Sequence, residues 1–189
     1  SAPYYLGNAR WGMRRMNHEV TDAVWEMLHS GSRLLGEPRI MGVTSENLAQ
    51  KYGISRLDQD QLALESHGKA EAAITAGRSK DEITAYEIVG KKGQKDLFQQ
   101  DEHPRFGLKM EDLAKLKPVF RKDGTVTAGN SSGLNDGASA AILMTRKRAR
   151  ELGLTPMATI VAHAAAGVEP HLMGYGPVPS TQKVLAKTG

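Results

Sequence analysis

The most constraining feature of the sequence is the stretch TVTAGNSSGLNDGASAAILM, residues 125–144. Its glycines Gly129, Gly133 and Gly137 precede an almost unbroken apolar run at 138–144. Glycine lets a backbone approach a ligand closely or adopt positive φ, and a short apolar run is typical of a fully buried strand. The pattern therefore predicts a tight polar loop carried by a core strand, which is a common setting for a binding site. The alternative is a glycine-rich connection packed against the core with no ligand.

The composition places the chain among globular proteins and excludes several kinds of site. Of its 189 residues, 24% are charged and 40% are hydrophobic, which suits a folded chain of one domain or slightly more. The sequence contains no cysteine, so disulfides, thiolate metal sites and a cysteine nucleophile are excluded within it. The net charge is +4, and the basic residues are dispersed, which argues against a nucleic-acid partner.

The N-terminal residues predict an interface and not a targeting segment. No stretch of the chain approaches the ~18 apolar residues of a membrane span, and SAPYYLGNARW lacks the layout of a signal peptide. We therefore expect no membrane partner and a cytoplasmic location. Tyr4, Tyr5, Leu6, Trp11 and Met13 crowd among glycines and arginines. Because large exposed apolar patches usually mark interfaces, this segment predicts a contact between subunits.

Helical periodicity and capping residues predict several helices. Ser55 followed by Asp58 resembles a capping box, and Gly77 is a good stop signal, so we predict a helix over 56–76. The other predicted helical segments are a short amphipathic one at 21–27, one from Thr44 to Tyr52 before Gly53, one at 110–116 before Pro118, one at 146–152 capped by Thr145, and one that begins near Ser180.

Strands are predicted at 82–89, 138–144 and 159–166, the last two as buried strands. The polar segment 91–105 is interpreted as a surface excursion. The chain therefore has an irregular helical front and a later part that alternates strand and helix. That alternation is typical of a layered α/β fold.

The histidines and carboxylates give little sign of catalysis. No two of the six histidines have the spacing of metal ligands, so no metal is predicted. His67 is interpreted as a surface residue and His163 as a core histidine, while His171, in a Gly/Pro-rich loop, is the one to test for function. The acidic pair Asp58 and Asp60 is interpreted as helix-end or surface charge.

Two polar features suit a ligand. The order GNSSG does not match the GxSxG turn of a serine nucleophile, so Ser132 is interpreted as a hydrogen-bond donor to a bound amide or carbonyl. Arg105, followed by Lys109, is suited to an anionic phosphate. A solvated basic face is the simpler interpretation of Arg105 from the residues alone.

Four stretches together resemble the thiolases, the family of acetyl-CoA acetyltransferases and 3-ketoacyl-CoA thiolases. Besides TVTAGNSSGLNDGASA, they are MGVTSENLAQKYGISRLDQDQLALESHGKA at 41–70, DEITAYEI with the downstream LKPVFRKDGTVTAGN, and GVEPHLMGYGPVPSTQKVL at 167–185. The resemblance runs in order over essentially the whole chain. Together these motifs are more specific than any single glycine-rich loop.

The resemblance implies an α/β thiolase-like layered fold, with layers α-β-α-β-α built from two similar halves. It implies that residues 1–122 are a loop domain covering coenzyme A and that 3–16 within them are a tetramerisation segment. Residues 123–155 would then be the end of the first half, and 156–189 the start of the second. The chain is accordingly expected to be an internal fragment.

The resemblance also implies acyl transfer between acyl-CoA and 3-ketoacyl-CoA through a cysteine thioester, in fatty acid metabolism. The family's catalytic cysteines and histidines have no counterpart in this sequence, so no catalytic residue is assigned and this stretch alone is expected to be inactive. Coenzyme A or acyl-CoA would be the substrate, with no permanently bound cofactor and with a homo-oligomer, dimer or tetramer, as the assembly. The alternative is a non-catalytic acyl-CoA or lipid-carrier binding protein derived from a thiolase.

Carried over position by position, the resemblance implies a set of coenzyme A contacts. The contacts are Arg105 at phosphate or the adenosine end; Leu28 and Met41 along the pantetheine and acyl channel; Val119 and Phe120 near adenine and pantetheine; and Ala128, Gly129, Ser132, Gly133 and Leu134 at the pantetheine. Ile40 departs from the family pattern, in which histidine is frequent at that position.

Overall fold

The computed structural model describes residues 4–7, 9, 12, 15, 17–29 and 40–189. The described helices are α1 (Ala23–His29), α2 (Met41–Tyr52), α3 (Arg56–Thr75), α4 (Met110–Ala114), α5 (Arg146–Glu151), a 3₁₀ helix (Pro170–Tyr175) and α6 (Pro177–Thr188). The described strands are β1 (Tyr4–Tyr5), β2 (Thr21–Asp22), β3 (Tyr86–Val89) and β4 (Lys95–Phe98). The chain divides into two compact units, residues 49–133 and residues 1–48 with 134–189.

Helix α3 is the longest element of the unit 49–133, and its predicted start is confirmed. The Ser55 hydroxyl accepts a hydrogen bond from the Asp58 amide over 3.1 Å, and the Asp58 carboxylate accepts from the Ser55 amide over 2.8 Å. This reciprocal capping box satisfies two of the amides that every helix start leaves without a partner. The helix ends at Thr75, and Gly77 follows with a φ of +67°, a conformation that favours glycine.

Strands β3 and β4 form an antiparallel hairpin in the same unit. Tyr86 lies opposite Phe98, and Val89 lies opposite Lys95. The turn between the strands is closed by the Gly90 amide, which donates to the carbonyl of Gln94 over 2.8 Å. The strand predicted at 82–89 is thus confirmed in its second half. The prediction of a plain surface excursion over 91–105 missed β4, because KDLF becomes a strand through its pairing with β3.

The unit formed by 1–48 and 134–189 contains residues 41–48 of α2, which lie against the 3₁₀ helix. The Asn47 side-chain amide donates to the backbone carbonyl of His171 over 2.9 Å, and a Cβ added at Gly174 would lie 2.7 Å from a methyl of Leu48. Helix α2 begins at Met41, three residues before the predicted cap. The cap prediction at Thr44 is wrong, because its buried hydroxyl donates to the Met41 carbonyl inside the helix.

The remaining helices of this unit begin at recognisable signals. The Thr145 hydroxyl accepts from the Arg148 amide over 3.2 Å, so the predicted cap of α5 is confirmed. Helix α6 begins at Pro177, earlier than predicted, because proline is pre-organised for the first helical position, where its missing N–H costs nothing. No described helix has the length and apolar character required to cross a membrane.

The two buried strands predicted at 138–144 and 159–166 do not form in the described structure. Their large apolar side chains are exposed, with Leu143 at 77% and Val161 at 80%. His163, predicted to be a core residue, is exposed as well. A strand requires a hydrogen-bonded neighbour, and the described residues supply none to either run, although the apolar pattern alone predicted one.

We predict that Ser55→Ala destabilises α3 in a pH-dependent way. The hydrogen bonds from the Ser55 side chain and then from its backbone hold the pKa of Asp58 below its ordinary value. A lowered carboxyl pKa contributes stability above the pKa of the unfolded chain, about 3.9, and loses it as the pH falls through the folded pKa. The variant should therefore unfold at lower urea than the wild type at pH 7, with the difference shrinking in acid. An NMR titration should find the Asp58 pKa higher in the variant, and an unchanged pKa would contradict this account.

Candidate functional site

A buried carboxylate lies beneath the glycine-rich loop. Asp60 is only 3% exposed, and both of its oxygens are hydrogen-bonded. The Arg56 guanidinium donates through Nε to Oδ2 over 2.7 Å, and the Asn130 amide donates through Nδ2 to Oδ1 over 2.9 Å. Burying a carboxylate is costly unless it is paired and hydrogen-bonded, so Asp60 requires both partners. The surface-charge interpretation of Asp60 is therefore wrong, whereas that of Asp58 as a helix-end charge is confirmed.

Asn130 transmits this constraint to the loop backbone. An ionised carboxylate can only accept hydrogen bonds, so the amide group of Asn130 must turn its NH₂ towards Asp60. That group also donates to the Thr125 carbonyl over 3.0 Å. The amide oxygen is left to accept from the backbone N–H of Thr127 over 2.7 Å. Thr127 is fully buried, and its hydroxyl accepts from the Gly129 amide over 3.2 Å, so residues 125–130 of the loop are held by hydrogen bonds.

Arg56 connects the same carboxylate to the end of α4. Its Nη2 donates to the carbonyl of Leu113 over 2.7 Å and to that of Leu116 over 3.0 Å. These carbonyls lie at the C-terminus of α4, where helical hydrogen bonds run out and a cation is favourable. The face of α3 that carries Arg56 also carries Gln59, which donates to the Thr125 hydroxyl over 2.8 Å. Helix α3 thereby fixes α4 and the loop together.

Gly129 permits the close packing of this loop on α4. A Cβ at this position would lie 2.5 Å from Cδ1 of Leu116 and 2.6 Å from Cδ2 of Leu113. Leu113 is only 1% exposed, so it has little room to move aside. The loop therefore needs glycine here for lack of space and not for an unusual φ.

The unit 49–133 brings together most of the predicted coenzyme A contacts. The Val119 amide donates to the carbonyl of Val126 over 3.0 Å, which places the Val119–Phe120 segment beside the start of the loop. Val119 is 61% exposed, and Phe120 is half-buried. The loop residues predicted as contacts are Ala128, Ser132 and Gly133, which are exposed, and Gly129, which is half-buried. The hydrogen bonds of Asp60 and Asn130 thus support a surface whose exposed residues are both apolar and polar.

Arg105 lies on a separate turn of the same unit. It borders a surface depression of about 470 Å³ that is also lined by Asp101, Glu102 and Phe106. The turn is held by α3 through His67, whose Nδ1 accepts from the Arg105 amide over 3.1 Å. His67 is therefore half-buried and engaged, and its interpretation as a plain surface residue is wrong.

The other predicted contacts belong to the unit formed by 1–48 and 134–189. Leu28 is half-buried in α1, Met41 is the first residue of α2, and Leu134 is 68% exposed. The His171 ring meets Glu169, with Nε2 3.1 Å from Oε2. The functional role of His171 stays a prediction. Among the described residues, no three histidine or acidic side chains form a group suited to a metal ion.

Sequence reasoning missed the residues that build the loop's support: Arg56, Gln59, Asp60, Thr127 and Asn130. One signal was available, because Arg56 and Asp60 are four residues apart and such pairs meet on one helix face. The amide partner of Asp60 is 70 residues away. No local pattern reports a contact of that separation.

Comparison with known proteins identifies the family. The model of the thiolase N-terminal domain matches residues 1–147. An acetyl-CoA acetyltransferase of Pseudomonas aeruginosa is 48% identical over 188 residues, covering 100% of this chain and 47% of the relative. The beta-ketothiolase BktB of Cupriavidus necator is 47% identical over 189 residues, with the same coverage.

Solved structures agree. The Bacillus anthracis acetyl-CoA acetyltransferase matches with a TM-score of 0.80 and 46% identity, over 99% of this chain and 46% of the other. Human mitochondrial 3-ketoacyl-CoA thiolase matches with a TM-score of 0.79 and 42% identity, over 98% and 46%. The fold is therefore that of a thiolase-like α/β protein. The chain belongs to the thiolase family, and it spans about half the length of the curated relatives it matches.

We predict that Asp60→Asn loosens the loop. Asparagine can still accept from Arg56 with its oxygen, but its NH₂ then faces the NH₂ of Asn130, so one amide must turn or lose its partner. Hydrogen bonds to charged groups contribute about 1.5–3 kcal/mol, so urea unfolding should show a loss of about 2 kcal/mol. The Thr127 amide should exchange with solvent faster. Unchanged stability and exchange would remove Asp60 as the support of the loop.

We predict that Gly129→Ala also destabilises the unit, through overpacking. Its methyl group would meet Leu113 and Leu116, and inserting a methyl into a packed site costs about 1–3 kcal/mol. Gly137→Ala is the matched control, because a Cβ there meets nothing within 4 Å. Thermal or urea unfolding should separate the two variants. Equal stability of both would contradict the packing argument.

Proposed function

We propose that this chain supplies the coenzyme A-binding part of a thiolase that transfers acyl groups between acyl-CoA and 3-ketoacyl-CoA. Membership of the family supports this, as do the activities printed in the names of similar proteins. The observation that carries the proposal is the loop itself, whose buried face is clamped by Asp60 and Asn130 while Ala128 and Ser132 are exposed.

The loop offers what a long, flexible ligand requires. Sites for such ligands combine apolar walls with a few placed polar groups, and this unit exposes both kinds, Val119 as an apolar side chain and Ser132 as a polar one. In our proposal the Ser132 hydroxyl hydrogen-bonds a pantetheine amide, and the backbone of Ala128 and Gly129 meets the neighbouring amide groups. Because residues 125–130 of the loop are already held by hydrogen bonds, less conformational freedom is lost when the ligand arrives.

The chemistry proposed for the intact enzyme is acyl transfer through a cysteine thioester. A cysteine thiolate attacks the ketone carbon of the 3-ketoacyl-CoA, and the bond between Cα and Cβ breaks. The departing acetyl-CoA carbanion takes a proton, and the acyl group on sulfur then passes to a second coenzyme A. An oxyanion hole would stabilise the charge that develops on the carbonyl oxygen. The residues of this chain bind and orient the coenzyme A, and the cysteine lies outside the sequence.

We propose the domain assignment that the resemblance implies. Residues 1–122 form the loop domain, 123–155 the end of the N-terminal half and 156–189 the start of the C-terminal half. The family match over residues 1–147 supports the first two assignments. The exposed apolar run at 159–166 supports the third assignment, because apolar patches of this kind mark surfaces that are covered in the assembled protein.

We also propose that the protein works as a homo-oligomer, either a dimer or a tetramer, through the segment 3–16. Its described part includes Tyr4, which is 58% exposed, as expected for a side chain that awaits a partner. Half of the segment, including Trp11, lies outside the described residues. Cytoplasmic location stays a prediction from the residue pattern, and a role in fatty acid metabolism stays a prediction of the resemblance.

Coenzyme A titration followed by a thiolysis assay tests the proposed function in the polypeptide made from its native reading frame. Micromolar binding together with cleavage of acetoacetyl-CoA is the expected result. Binding without cleavage would instead favour a non-catalytic acyl-CoA-binding protein. Absence of both would overturn the proposal.

We predict that Ser132→Ala weakens coenzyme A binding by about 1 kcal/mol, the usual net contribution of one neutral hydrogen bond. Calorimetry should therefore show a roughly fivefold higher dissociation constant. The adjacent Ser131→Ala is the matched control, with little effect expected. Equal affinities for Ser132→Ala and the wild type would remove Ser132 from the binding surface.

A further inference from the structure

The turn that carries Arg105 is tied to helix α3 at three points. The Arg105 amide donates to Nδ1 of His67 over 3.1 Å, and the Gly107 amide donates to Oε2 of Glu71 over 2.9 Å. The rings of His67 and His103 stack, with centroids 5.9 Å apart and planes inclined by 21°. Because His67 and Glu71 are four residues apart, they lie on one face of α3.

These contacts hold the backbone of the turn and leave the arginine head available. The Arg105 guanidinium makes no hydrogen bond or ion pair with the other described residues. Gly107, two residues after the arginine, has a φ of +67° within a turn, a conformation that favours glycine. His67 takes part through Nδ1, which accepts the hydrogen bond of the Arg105 amide.

We propose that His67 and Glu71 are positioning residues for Arg105, which they hold towards the phosphate-bearing end of coenzyme A. The inference rests on the proposed function and on the contact with phosphate that the thiolase resemblance implies for Arg105. A guanidinium on a long side chain loses conformational freedom when it binds an anion. If the backbone of the turn is already fixed, ordering the turn does not add to the conformational freedom lost on binding. The two acceptors serve binding by acting on the backbone and not on the ligand.

A purely structural clamp would have a different signature. If His67 acts only on stability, its loss should weaken coenzyme A binding to the same extent whether or not Arg105 is present. If it acts through Arg105, its effect should vanish once the guanidinium is removed. Residues that work through one another show such non-additivity in a double-mutant cycle.

The central experiment is a double-mutant cycle of His67→Phe and Arg105→Ala, with coenzyme A affinity measured by calorimetry. The protein is the polypeptide from the native reading frame. Phenylalanine keeps a planar ring against His103 but has no acceptor for the Arg105 amide. We expect His67→Phe to weaken binding about fivefold when Arg105 is present and less than about 1.5-fold in the Arg105→Ala background.

Three controls separate positioning from general damage. His67→Asn retains an acceptor near the place of Nδ1, so it should restore affinity to within about twofold of the wild type. Lys69→Gln changes a neighbouring side chain of α3 that is 80% exposed, and should leave affinity unchanged. Amide exchange at Arg105 should quicken in His67→Phe and not in His67→Asn, which reports the hydrogen bond directly.

The outcomes distinguish this inference from the proposed function. A wild type that binds no coenzyme A overturns the proposed function, and with it the role given to Arg105. If the wild type binds coenzyme A, three results overturn the positioning role alone. They are no effect of Arg105→Ala on affinity, no effect of His67→Phe on affinity, or an effect of His67→Phe of equal size in both backgrounds. The positioning role is supported if His67→Phe weakens coenzyme A binding only when Arg105 is present and His67→Asn restores the affinity.

Discussion

The buried carboxylate of Asp60 is the constraint on which the unit 49–133 depends. Its side chain is only 4% exposed, and a buried charge that loses its partner is strongly destabilising. Arg56 and Asn130 meet that requirement, and each makes its other hydrogen bonds with the backbone. Arg56 donates to a carbonyl at the end of α4, and the Asn130 amide contacts the backbone of Thr125 and Thr127. One desolvated charge thereby couples a helix, the end of a second helix and a loop, so that none of the three can shift without exposing or orphaning it.

This coupling explains how a glycine-rich loop can be rigid and still reach a ligand. The hydrogen bonds that fix the loop come from its buried side, through Asn130 and Thr127, and Gly129 lets that side pack on Leu113. Ser132, two residues after Asn130 in the loop, is exposed. The turn that carries Arg105 follows the same logic, because His67 holds backbone and leaves the guanidinium available. In both places helix α3 supplies the side chains that position residues on other segments, and in neither does it supply the proposed ligand contact.

The sequence predicted the features that depend on neighbouring residues. The bounds of α3 followed from Ser55, Asp58 and Gly77, whose roles are set within a few positions of one another. The family followed from motifs spread along the whole chain. Asp60 was missed because a carboxylate on a helix is usually exposed, and the partner that proves otherwise is 70 residues away. Strand β4 was missed for the same kind of reason, since a half-polar KDLF becomes a strand only opposite β3.

The apolar run at 159–166 shows why the prediction of a strand and its formation are separate questions. Its composition predicts that the run is covered, but its hydrogen bonds decide what it becomes. Two of its carbonyls, those of His163 and Ala165, accept from Lys187 and Lys183 of α6 over 2.7 and 3.0 Å. Both donors lie on α6, so this helix holds two carbonyls of the run without supplying the backbone partner that a strand needs. Because exposed lysines give up such hydrogen bonds at small cost, α6 can stabilise this segment without preventing it from joining a sheet.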